Sequence, residues 1–273
     1  MHIIDVHNHS LPGIDDGAKD LEMAVAMLKV AEDSGTEEIV LTPHHLNGAF
    51  NNLAEQICTA VSQLKTAASK NNIAVKLHIG SEIHLVPETV EHLVEEKALT
   101  FCGLGKAALV ELPKNTVPTG VESILSELVY HGITPIIAHP ERNSTLKRDF
   151  GQLIEWIDFG CKTQVTGQSC SGAFGKELQD ITMRMISRGL VHVVASDAHR
   201  PRGRSPDLSE AVTAVRNHHG EQACQTLFAE NPARLVAGED LLSLRRSEDK
   251  HRSRSKPVKR RSRGWLDKLI SPV

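Results

Sequence analysis

The chain has 273 residues, about 40% apolar, with two Trp, one Tyr, six Phe and a formal net charge of −3. That length suits one large α/β domain with a core of Val, Ile, Leu and Ala, and no run approaches the roughly 18 apolar residues that cross a bilayer. Residues 245–273 carry eleven Lys or Arg against three acids, a surplus of eight, so residues 1–244 sum to −3 − 8 = −11, which argues against nucleic-acid binding by the body.

The N-terminus, M-H-I-I-D-V-H, lacks the charged, apolar and small-residue parts of a secretory signal, so a cytoplasmic location is the default expectation. Short β-rich runs then recur between helical patterns: I-I-D-V (3–6), E-I-V-L (38–41), A-V-K-L-H-I (74–79), A-L-V-E-L (108–112), P-I-I-A (135–138), T-Q-V (163–165) and V-H-V-V-A (191–195). Seven strands alternating with helices predict parallel β-α units. Leu21, Ala24, Val25, Leu28 and Ala31 form an apolar stripe at helical spacing, and Thr119 with Glu122 predicts a capping box for a helix that closes before Gly132. Periodicity does not separate a closed barrel from an open doubly wound sheet.

Polar residues at the strand ends bear on that choice. The first strand runs into D-V-H-N-H, whose His7 and His9 point to one side of an extended chain. G-I-D-D-G follows with Asp15 and Asp16. Asp15 either orients Asp16 or shapes the loop. The second strand ends at T-P-H-H with His44, the third at G-S-E with Glu82, the fourth carries Glu111, the fifth ends A-H-P-E-R with His139, Glu141 and Arg142, and the seventh ends A-S-D-A-H with Asp197 and His199. Ligand-type side chains at the C-terminal ends of six of seven parallel strands are what a barrel active site requires. A structural imidazole or a capping acid explains any single one, but not the same end six times. His78, His84, His131 and His192 take that structural reading, and His218 and His219 read as surface residues.

Imidazole and carboxylate without thiolate suit a divalent catalytic ion such as manganese, iron, zinc or cobalt. Nine ligands exceed the needs of one ion, so two or three sharing a bridging carboxylate are implied. Such ions provide a metal-bound hydroxide nucleophile and clamp phosphate oxygens, the chemistry of phosphate-ester hydrolysis. The five cysteines show no C-x-x-C pair, against a thiolate zinc site or disulfide framework. Six residues after them stand Leu64, Ala108, Gly167, Lys176 and Glu230, none an Arg, which excludes the C-x5-R loop of cysteine-based tyrosine phosphatases.

D-V-H-N-H, I-D-D-G, T-P-H-H, G-S-E-I, A-L-V-E-L, I-T-P-I-I-A-H-P-E-R and V-V-A-S-D-A-H, collinear over about residues 1–240, resemble the motif series of the polymerase and histidinol phosphatase (PHP) superfamily. The resemblance is closest to its bacterial tyrosine-protein phosphatases of the CpsB/YwqE type. It implies a distorted seven-stranded β/α (TIM-like) barrel over residues 1–242. It further implies three metal ions, manganese favoured: one on His7, His9, Glu82 and Asp197, a second sharing Glu82 and adding Glu111 and His139, a third on Asp16, His44 and His199. Arg142 and Arg204 fall where phosphate-binding arginines are expected. The implied function is hydrolysis of phosphotyrosine on a bacterial tyrosine kinase, regulating capsular or exopolysaccharide synthesis. The alternatives are a small-molecule phosphomonoesterase such as histidinol phosphatase, or a non-catalytic metal-binding regulator. His45 stands where the subgroup often has Arg, which puts one anion contact in question.

Residues 243–273 form a basic, Ser-rich segment read as a disordered tail, ending in Trp265, Leu266, Leu269 and Ile270. It is either a solvated extension or a peripheral contact to anionic lipid or an acidic partner.

Overall fold

The computed structural model describes residues 1–244. Strand β1 (Ile3–Asn8) is buried along its whole length. Helix α1 (Leu21–Asp33) starts at Asp20, whose carboxylate accepts the Met23 N–H at 2.8 Å. Its inward face is Ala24, Met27, Leu28 and Ala31. Leu21, placed on the predicted stripe, is exposed.

Two predicted strands are broken near their ends. β2 (Thr36–Leu41) stops at Thr42-Pro43, where proline has no N–H to give a ladder, and resumes as β3 (His44–His45). After helix α2 (Ala54–Lys70), β4 (Lys76–Ile79) stops at Gly80-Ser81 and resumes as β5 (Glu82–His84). A Cβ at Gly80 would lie 2.9 Å from Val40 Cγ1, so glycine permits the close approach of the two strands there. Each break re-aims the chain just before a ligand-type residue, His44 or Glu82.

Beyond helix α3 (Thr89–Val94) come β6 (Ala107–Glu111), helix α4 (Val121–Tyr130), β7 (Thr134–Ala138), helix α5 (Gly151–Phe159), β8 (Lys162–Thr166), helices α6 (Gly167–Ser171) and α7 (Lys176–Ser187), β9 (Val193–Ala195), helix α8 (Ser209–Gln225) and helix α9 (Asn231–Ala237). The capping box predicted at Thr119 and Glu122 does not form. Gly120, at φ +93°, is the N-cap, and no side chain caps the helix. The predicted stop holds: Gly132 adopts φ +76°, and the N–H groups of Gly132 and Ile133 close onto the Val129 and Leu128 carbonyls.

Every strand pairing is parallel, in orders β1-β2-β4 and β3-β5-β6-β7-β8-β9. Since β3 and β5 continue β2 and β4, the two sheets share two strand lines. The outer lines also meet. The Asp197 N–H donates to the His7 carbonyl at 2.8 Å, and the His9 N–H to the Ala198 carbonyl at 2.9 Å. The fold is thus a mixed α/β arrangement of parallel strands, as the sequence predicts.

Ile4, Val6, Val40, Leu109, Ile136, Ala138, Val193 and Ala195, from five strands, pack into one buried cluster with Leu235 of α9. Larger clusters lie between strands and helices. Among the described residues no helix is long and apolar enough to cross a membrane. The predicted tail contact with lipid or an acidic partner lies outside the described residues.

Candidate metal centre

The C-terminal ends of the strands deliver the polar cluster. His7 lies in β1 and His9 one residue past it. His44 opens β3, Glu82 opens β5 and Glu111 ends β6. His139 follows β7, and Asp197 and His199 follow β9. Four overlapping groups of ligand atoms, His9–Asp16–His44–His199, His7–Glu82–His139, His7–His9–Asp197 and His44–Glu82–Glu111, together contain all nine residues singled out in the sequence.

Their spacing fits shared cations. His7 Nε2 lies 3.1 Å from His9 Nε2, 3.3 Å from Glu82 Oε2 and 3.5 Å from Asp197 Oδ1. His9 Nε2 lies 3.4 and 3.5 Å from the same two oxygens. Four donors around an ion with bonds of about 2.1 Å stand about 3.0–3.5 Å apart. Glu82 Oε1 sits 2.9 Å from His139 Nε2, which is 3.6 Å from Glu111 Oε1. Asp16 Oδ1 lies 3.2 Å from His199 Nε2 and 3.4 Å from His44 Nε2. The other nitrogen of His44, Nδ1, lies 3.1 Å from Glu82 Oε2, so this ring sits between two groups.

The hydrogen-bond accounting makes the same point. Glu82 Oε2, Asp197 Oδ1, His44 Nδ1 and His199 Nε2 are buried without a hydrogen-bond partner. Such atoms are costly to bury unpaired, and a divalent cation is the partner that suits imidazole and carboxylate lone pairs together. Burial pushes the Glu82 and Asp197 carboxyls upward, but neighbouring positive groups outweigh it and hold both well below the usual carboxylate range. His7 leads for each, joined by His44 and His139 at Glu82 and by His139, Arg204 and Arg142 at Asp197. Both are therefore ligand-ready anions at neutral pH.

Strain collects here as well. His139 (φ +32°) and Asp197 (φ +50°) occupy the left-handed region that non-glycine residues avoid. Arg142 and Arg204 both reach the outer oxygen of Asp197, Arg204 Nη2 at 2.6 Å, leaving Oδ1 to face His7 and His9.

A model of the family described as "Capsular polysaccharide synthesis, CpsB/CapC" matches residues 3–237. The chain belongs to the CpsB/CapC family. It is 33% identical over 259 residues to the tyrosine-protein phosphatase YwqE of Bacillus subtilis (strain 168), covering 95% of this chain and 98% of that one. It is 31% identical over 239 residues to the tyrosine-protein phosphatase CpsB of Streptococcus pneumoniae, covering 86% and 98%. A crystal structure from work on those two proteins, described as unique metal-dependent tyrosine phosphatases, superposes with a TM-score of 0.85 at 32% identity, covering 88% of this chain and 97% of that one.

In this CpsB/CapC-family chain some residues take roles that the sequence did not reveal. Asp15 neither orients Asp16 nor merely shapes its loop. Its Oδ2 accepts from His9 Nδ1 at 2.7 Å, which fixes the ring so that Nε2 presents a lone pair to the centre. Gln164 does the same for His7, its Oε1 accepting from Nδ1 at 3.0 Å. Asp5, buried in β1, accepts from the Ser196 N–H and hydroxyl and from Asn8, tying β1 to the loop that bears Asp197. A carboxylate within an apolar strand run was the available signal for Asp5. Gln164 gave none, because its partner is 157 residues away.

His45, standing where an arginine was expected, is buried and bonds to His92 at 2.8 Å, so it offers no exposed cation. His78 is held by Glu38 at 2.6 Å, His131 caps α4, and His192 is buried with its Nδ1 close to Thr163. His84 lies nearer the centre than its structural reading implied, with Nδ1 3.5 Å from Glu111 Oε2. His218 is exposed, as predicted, whereas His219 is half-buried.

Proposed function

We propose that this chain is a metal-dependent protein-tyrosine phosphatase of the capsule-synthesis type. Its nine residues His7, His9, Asp16, His44, Glu82, Glu111, His139, Asp197 and His199 hold three divalent ions, manganese favoured and iron, zinc or cobalt possible. The observation that carries this is the buried set of unpartnered nitrogen and carboxylate atoms around Glu82 Oε2, which faces His7, His9 and His44 at 3.1–3.4 Å. Names and reported metal dependence of the relatives support the substrate class.

Bound cations would supply Lewis-acid charge and an activated water for in-line attack on phosphorus. The chain's own side chains do the rest. Glu82, which faces the His7, His9 and His44 imidazoles, would hold the cations together with them. Asp15 and Gln164 hold His9 and His7 in the ligating tautomer. Arg142 and Arg204 are planar donors at the mouth that can turn from Asp197 to the phosphate oxygens, neutralising charge that grows in the transition state. A tyrosine leaving group, with a pKa of about 10, needs less protonation than an alkyl one, and no general acid is assigned.

The finer architectural readings belong to the same proposal. A distorted seven-stranded barrel is supported by the shared strand lines and the β1–β9 backbone bonds. A domain over residues 1–242 is supported by Asn231, whose side chain bonds the Leu242 N–H and carbonyl and pins the segment after helix α9 onto the body. The physiological substrate would be a bacterial tyrosine kinase at the cytoplasmic face. The tail from residue 243 would bring the enzyme to it, and deleting residues 245–273 should weaken vesicle or kinase binding.

The test is phosphate release from a phosphotyrosine peptide and from histidinol phosphate, with chelator and with manganese. Metal-dependent turnover favouring the peptide, lost in His44→Ala and Asp197→Ala, supports the proposal. Preference for histidinol phosphate would move the enzyme to small-molecule chemistry. No turnover of either would leave a metal-binding regulator.

A further inference from the structure

A second concavity opens beside the two arginines. It is a cleft of about 380 Å³ with Arg142 and Arg204 on its inner side, Lys114 and Lys147 at its rim, and Phe174 and Leu178 as apolar lining. Arg142 and Lys114 also line a recess of about 90 Å³ that contains Glu111 and His139, so the cleft adjoins the metal-facing cluster. One carboxylate, Glu177, faces four cations in the cleft, although residues 1–244 carry a net charge of −11.

Resting on the phosphotyrosine reading, we propose that this cleft receives the peptide flanking the phosphotyrosine and selects acidic residues there through Lys114 and Lys147. The arginines are paired with Asp197 and are assigned to the phosphate in the phosphotyrosine reading. The two lysines have no such commitment: neither forms an ion pair among the described residues.

Their position is built rather than incidental. Buried Asn143 donates to the carbonyls of Pro113 at 2.8 Å and Thr116 at 2.9 Å, bracketing the loop of Lys114. Its Oδ1 accepts from the N–H groups of Thr145 and Leu146, holding the turn that carries Lys147. The Ser144 N–H closes the pair of loops onto the Lys114 carbonyl at 2.9 Å. A single side chain thus staples both cationic loops beside the mouth, so the backbone that carries the lysines is held in place before a ligand arrives. Phe174, 38% exposed with the Arg142 guanidinium 5.8 Å from its ring centroid, offers a flat apolar surface between the phosphate site and the rim. On an otherwise acidic body, an acidic peptide finds attraction only where cations such as these gather.

The test compares kcat/KM for phosphotyrosine peptides with acidic, neutral and basic flanks, with p-nitrophenyl phosphate in parallel, at about 20 mM and about 300 mM salt. The acidic peptide should exceed the basic one by roughly tenfold at low salt, mainly through KM, and the gap should shrink at high salt. In a Lys114→Glu/Lys147→Glu double variant, the ratio of acidic-peptide to p-nitrophenyl phosphate kcat/KM should fall at least as far, with the basic peptide now preferred. Equal turnover of the three peptides by the wild type, with p-nitrophenyl phosphate still hydrolysed, would overturn this inference and leave the phosphatase reading standing. Loss of all turnover would overturn both.

Discussion

Asp15 offers the most direct test of how the centre is held. Its Oδ2 accepts from His9 Nδ1 at 2.7 Å, while its Oδ1 accepts the Gly17 N–H at 2.9 Å. In Asp15→Asn the oxygen stays on Gly17, because that position can only accept. The amide NH2 then faces His9 Nδ1 and donates to it, which drives the ring proton to Nε2, the atom that points at the centre. The Gly17 bond still holds the loop, the NH2 also meets the His44 N–H that Oδ2 accepts at 3.3 Å in the wild type, and His9 loses the lone pair it turned to the centre.

A buried hydrogen bond to a charged group contributes about 1.5–3 kcal/mol. At about 1.4 kcal/mol per factor of ten, that corresponds to roughly a 10- to 100-fold loss of metal affinity, the range typical of positioning residues around metal sites. Isothermal titration with manganese, together with the manganese concentration giving half-maximal phosphatase activity, reads this out. If Asp15→Asn binds manganese within about twofold of the wild type at an unchanged melting temperature, the tautomer argument is refuted.

Three further outcomes follow from the geometry. Arg204→Lys keeps the charge but loses the planar fork that meets Asp197 at 2.6 Å, and should lower kcat/KM by about 10- to 100-fold with metal affinity little changed, as steady-state kinetics beside titration would show. Gly17→Ala would place a Cβ 2.0 Å from the His9 carbonyl oxygen and 2.6 Å from its Cβ, and should destabilise the fold by about 1–3 kcal/mol in urea unfolding while also loosening the Asp15–His9 bond. Burial, with the His92 imidazole beside it, holds His45 down to about 4 from its ordinary 6.5. The unfolded chain therefore binds this proton first, so the stability from neutral His45 is complete above pH 6.5 and is lost as pH falls toward 4. The loss is up to about 3 kcal/mol, and His45→Gln should show a shallower decline of the urea midpoint across that window. An identical decline in the variant would remove His45 from the account.

Much of the molecule was legible in its residues because both signals involved are local. Alternating β-rich runs and helical stripes are set by neighbours a few positions apart, so the seven strand lines and their parallel sense were readable. Ligand types such as D-V-H-N-H and A-S-D-A-H sit directly after strands, so a parallel fold must carry them to one end, and all nine arrive there. Local rules also marked their own failures. Thr119 loses the cap because Gly120 can adopt φ +93°, and Leu21 is exposed because helix α1 turns Met27 inward instead.

Tertiary structure alone decided how the candidate ligands are oriented. Gln164 reaches His7 from 157 residues away, and Ser196 reaches Asp5 from 191, separations across which no sequence periodicity operates. The strand break at Gly80, which aims Glu82, depends on how closely two strands approach. The cleft depends on Asn143 joining loops about 30 residues apart. Residue types and strand order fixed which chemistry could assemble. Contacts between distant segments fixed which nitrogen faces the centre, which carboxylate lies among the imidazoles and which lysines stand at its rim, because hydrogen-bond geometry exists only once the chain has closed upon itself.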